Sequence, residues 1–130
     1  MINQKKKTRI DDLHFEHELW LASSKFYADE LRIYQKRLDE IATKNNSFDV
    51  RAQIEHFQNQ FIIQKEQLDI LNHDVHKHES WLAKFALEHP VAIDHQQFDD
   101  HYHIQNRMDT FIKIYNDLKT EFNKFLSVWM

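Results

Sequence analysis

Glycine is absent from all 130 residues, and the only proline is Pro90. A chain without glycine has no residue that enters the left-handed backbone region at little cost, so tight hairpins and sharp loops must be few. Long uninterrupted helices meet that restriction. The same absence removes whole classes of function. There is no dinucleotide fingerprint or phosphate-cradling P-loop, and no glycine-rich kinase loop or nucleophile elbow. Cysteine is missing too, so disulfide frameworks, thiol nucleophiles, zinc fingers and iron–sulfur sites are excluded.

Hydrophobic residues form 42% of the chain, ten of them Phe and three Trp. That is too apolar for a disordered chain. The apolar residues recur at alternating spacings of three and four, the helical period. The first row is Ile10, Leu13, His17, Trp20, Ser24, Tyr27, Leu31, Tyr34, Leu38 and Ile41, with Leu19, Phe26 and Ile33 as a second flank. It predicts a helix over 9–44, capped at Thr8. Lys44-Asn45-Asn46-Ser47 reads as a turn, with Asn in the left-handed conformation and Ser47 capping the next helix. A second helix is expected over 48–87. Its row is Val50, Ile54, Phe57, Phe61, Gln64, Leu68, Leu71, Val75, His78, Leu82 and Phe85, and its weakest stretch is Asn72–His76. Pro90 ends it. Asp94 opens a third helix over 95–129 with the row His101, Ile104, Met108, Phe111, Tyr115, Leu118, Phe122, Phe125 and Trp129.

The expected fold is all-α: one domain over 9–130, an antiparallel up–down–up bundle of three long helices joined by short turns. Residues 1–8 read as a flexible basic tail. A rod this slender has much surface for its volume, and homodimerisation is expected to cover part of it. Ile62, Ile63 and Ile70 are the candidate contact.

The net charge is −4 with histidine neutral. Lys5, Lys6, Lys7 and Arg9 lie together at the start, so the body is more acidic than the total. An acidic body disfavours nucleic-acid binding, which needs clustered Lys and Arg. No apolar run reaches the ~18 residues of a membrane span, and no apolar segment follows the basic start as in a secretory signal. The expectation is a cytoplasmic protein acting through protein–protein contact, with no catalytic residues and no cofactor assigned.

The alternative rests on ten histidines. Nine of them fall in residues 14–17 or 73–103, which an antiparallel bundle brings to one end. Folding about Asn45–Asn46 pairs positions summing to about 92, and folding about Pro90 pairs positions summing to about 182. His17, His78 and His101 then sit on inward faces within about one turn of each other, close to Glu18, Glu79 and Asp100. Imidazole is a common metal ligand, and three with a carboxylate or water suit zinc or non-haem iron. The alternative is therefore a metal-binding bundle using His17, His78, His101 and Glu18, at the end formed by 14–18, 73–79 and 95–103. Glu-x-x-His and His-Glu-x-x-His are both absent, and the histidines can equally be core residues bonded to carboxylates and backbone.

Overall fold

The computed structural model describes residues 2–88 and 95–130, with side chains for 10–88 and 99–130. Helix α1 spans Ile2–Lys44, α2 Phe48–Glu88 and α3 His95–Trp129, with no strand among the described residues. Each helix packs on both others, as in a bundle. The longest reach about 60 Å at ~1.5 Å per residue. No described helix is long and apolar enough to cross a membrane.

Two expectations about helix ends are corrected. The backbone of α1 is already helical from Ile2, so Thr8 lies within the helix and is not its cap. Gln4 and Lys5–Lys7 lose little side-chain freedom in a helix, and nothing in this stretch stops one. At the 45–47 turn no described residue has positive φ. Asn45 instead donates its side-chain Nδ2–H to the Ile41 carbonyl at 2.9 Å, satisfying an acceptor that the helix end leaves open. The Ser47 carbonyl accepts from Arg51 N–H at 3.1 Å, which is the N-cap position of α2. Helix α2 is uninterrupted through Asn72–His76. The stop at Pro90 and the start at Asp94 lie outside the described residues.

The core follows the predicted rows. Val50, Ile54, Phe57, Phe61, Gln64, Leu68, Leu71, Val75, His78 and Leu82 are all buried on α2, as are the α3 positions from His101 to Phe125. Phe61 lies at the centre, its ring meeting those of Tyr34, Phe57 and Phe122. The second flank of α1 behaves differently. Leu19, Phe26 and Ile33 are each about half exposed, at 50%, 55% and 55%.

Cross-helix partners set the register. His17 meets His78 and Tyr34 meets Phe61 between α1 and α2, so numbers fall on one helix as they rise on the other. The same holds between α2 and α3, where Asp74 meets Arg107 and Phe57 meets Phe122. Between α1 and α3 they rise together: Tyr27 with Phe111, Glu30 with Tyr115, Tyr34 with Phe122. The partner sums are near 95 and 180 rather than 92 and 182. Interlocking core rows, rather than the turn midpoints, fix them.

Candidate metal centre

Near the end of the bundle where α1 and α2 hold residues 14–17 and 78–79, the core row changes from hydrocarbon to imidazole. His17, His78 and His101 occupy positions that Leu or Phe fill elsewhere along the rows, and they are only 1%, 6% and 3% exposed. Their helical spacing, not any local motif, turns them inward. The altered register completes the arrangement. It sets His17 directly against His78, rather than against Val75 as the turn midpoint implies.

His17 is the hub. Its Nε2 lies 3.0 Å from His78 Nδ1 and 3.2 Å from His101 Nδ1. One nitrogen from each ring falls within 4.8 Å of the other two. The opposite edge of His17 is held by Glu79, whose Oε2 accepts from Nδ1–H at 2.7 Å. That bond places the proton on Nδ1 and leaves the Nε2 lone pair facing the cluster. The other Glu79 oxygen meets Nδ1 of His14, which is half exposed. Trp20 stacks on His101 with centroids 4.6 Å apart. His101 Nε2 is buried without a hydrogen bond among the described residues, and Glu16 Oε1 lies 3.4 Å from it.

Burial pushes His101 down to about 3, with the neighbouring His17 and His78 rings acting in the same direction. Its ring is neutral at ordinary pH, the form that donates a lone pair to a metal. Burial alone would raise Glu79, but hydrogen bonds from His17 and His14 outweigh it and hold the carboxyl below its usual value. The bond to Glu79 raises His14. Burial, with Asp12 nearby, lifts Glu16.

Chemically, three imidazoles with one nitrogen each turned to a common point form a ligand set. Tetrahedral coordination at ~2.0–2.1 Å per bond places ligand nitrogens about 3.3 Å apart; the two separations from His17 Nε2 are 3.0 and 3.2 Å, and all three lie within 4.8 Å. A carboxylate on the far nitrogen of a ligating histidine fixes its tautomer and raises its basicity; Glu79 stands in that relation to His17.

Three of the four residues expected at the site come together and the fourth does not. Glu18 is exposed and pairs with His14 at 3.0 Å on the outer surface of α1. Sequence spacing could not separate it from Glu79, since each follows an inward histidine by one residue. Glu16 was legible only through the α1–α3 register, which sets residue 16 beside residue 101. His89 and the side chain of His95 lie outside the described residues. Comparison with protein-family models, curated proteins and solved structures finds no match.

Proposed function

We propose that this protein is a metal-binding antiparallel up–down–up bundle, with one zinc ion held by His17, His78 and His101. The observation that carries this reading is the convergence of three buried ring nitrogens, with Glu79 behind His17. Zinc is favoured over non-haem iron because the usual iron triad includes a carboxylate ligand, whereas Glu79 and Glu16 face the outer nitrogens. The test is zinc titration of untagged, chelator-treated protein by calorimetry, followed by elemental analysis. One zinc per chain is expected, together with a melting temperature that rises with free zinc. Saturation to a hundred times Kd adds about 2.7 kcal/mol. Wild type without zinc, or a His78→Leu/His101→Phe variant that binds as tightly, would refute it.

A second reading, homodimerisation as the basis of a protein-interaction role, is favoured by the exposed surface. The chain exposes 9062 Å², against about 7,400 Å² for a globular monomer of this mass. The excess exceeds the ~800 Å² per partner of a standard interface. Ile62, Ile63 and Ile70 are 50%, 44% and 49% exposed, and Ile63 and Ile70 share a heptad row. Light scattering should give twice the 16.0 kDa chain mass, and Ile63→Glu with Ile70→Glu should give a folded monomer. A monomeric wild type at every concentration removes this reading.

A further inference from the structure

Resting on the zinc reading, the geometry points to an open metal centre whose fourth ligand is a small exogenous anion, admitted through the cleft between α2 and α3. The protein supplies three ligand atoms among its described residues. Glu79 is bonded to Nδ1 of His17, and Glu16 lies 3.4 Å from Nε2 of His101, the ring nitrogen turned away from His17. Both therefore stand behind ligands rather than among them. Three imidazoles add no charge of their own to a divalent ion; Glu79 and Glu16 lie behind the rings and leave the fourth position to a group from outside, and an anion there places negative charge on the metal itself. Three protein ligands with an open position are the arrangement of reactive zinc sites, whereas structural sites are closed by four.

Access is restricted to one side. Glu79 and His14 cover the cluster between α1 and α2. Trp20, stacked on His101, covers it between α1 and α3. Between α2 and α3, a cleft of about 290 Å³ has His78 in its wall. Trp81 and Ile104 give it apolar lining, and Lys77 and Arg107 bring two cations to it. Asp74 and Asp100 also border it. The Asp74 carboxylate is paired with Arg107 at 2.8 Å. The volume suits an ion of a few heavy atoms, such as a small carboxylate.

The experiment loads chelator-treated protein with Co²⁺, whose visible bands report coordination, and titrates it with azide and with acetate. The expected result is a saturable spectral change with both anions. Lys77→Glu with Arg107→Glu should weaken azide on the order of tenfold while leaving Co²⁺ affinity within about threefold. A Co²⁺ spectrum indifferent to both anions overturns the open position while sparing the metal reading. An anion response unchanged in the double variant overturns the cleft as the route. Failure to take up Co²⁺ at all overturns this inference and the metal reading together.

Discussion

The pH dependence of stability in the metal-free protein follows from His101. Folding buries this ring and moves its pKa from 6.5 to about 3. An unfolded chain takes up a proton near pH 6.5 that the folded chain refuses. The folded-state value is depressed, so the stability contribution is complete above pH 6.5 and is lost as pH falls from there toward 3. Each pH unit in that window costs about 1.4 kcal/mol, so lowering the pH from 7.5 to 5 removes about 2 kcal/mol. His14 acts in the opposite sense. Its raised pKa adds stability below its unfolded value, and that stability is lost as pH rises through the folded one. Glu79, depressed when folded, keeps its contribution until pH falls below the ordinary carboxylate range. The His101 share is isolated by comparing urea denaturation of wild type and His101→Phe across pH 7.5–5 in chelator. Phe keeps an aromatic ring beside Trp20 and removes the titration. Wild type should lose about 2 kcal/mol more than the variant across this range. Parallel stability–pH curves would refute the assignment of a buried, proton-refusing ring.

Other consequences concern the core. Phe61→Ala removes a fully buried ring packed on Tyr34, Phe57 and Phe122 and should cost about 3–5 kcal/mol in chemical denaturation; a loss below about 1 kcal/mol would mean that the centre of the bundle is packed differently. Ser24 is fully buried and its hydroxyl has no hydrogen-bond partner among the described residues. Ser24→Ala should therefore raise stability by about 1 kcal/mol, and a clear loss would show that the hydroxyl is satisfied.

Much of the fold was legible because helix faces are a local property. Spacings of three and four decide which side chains share a face, whatever lies beyond the helix. The buried rows of α2 and α3 therefore follow the predicted ones, and His17, His78 and His101 were recognisable as inward residues. Burial of the α1 flank was not legible in the same way. Leu19, Phe26 and Ile33 repeat every seven residues as a core row does, yet remain half exposed. Two neighbouring helices cannot cover every face of a third, and periodicity does not record where the neighbours lie.

The site divides along the same line. Sequence alone determined that the chain is helical, where its long helices run through most of their length, and which three imidazoles turn inward. Only the tertiary structure decided that His17 stands against His78 and that Glu79, rather than Glu18, backs the cluster. His17-Glu18 and His78-Glu79 are the same dipeptide on the same kind of helix face. Glu79 reaches His17 and His14 on α1, while Glu18 pairs with His14 on its own helix. Which carboxylate crosses to a neighbouring helix depends on how two rods are rotated and offset. Interlocking side chains distant in sequence set that relation.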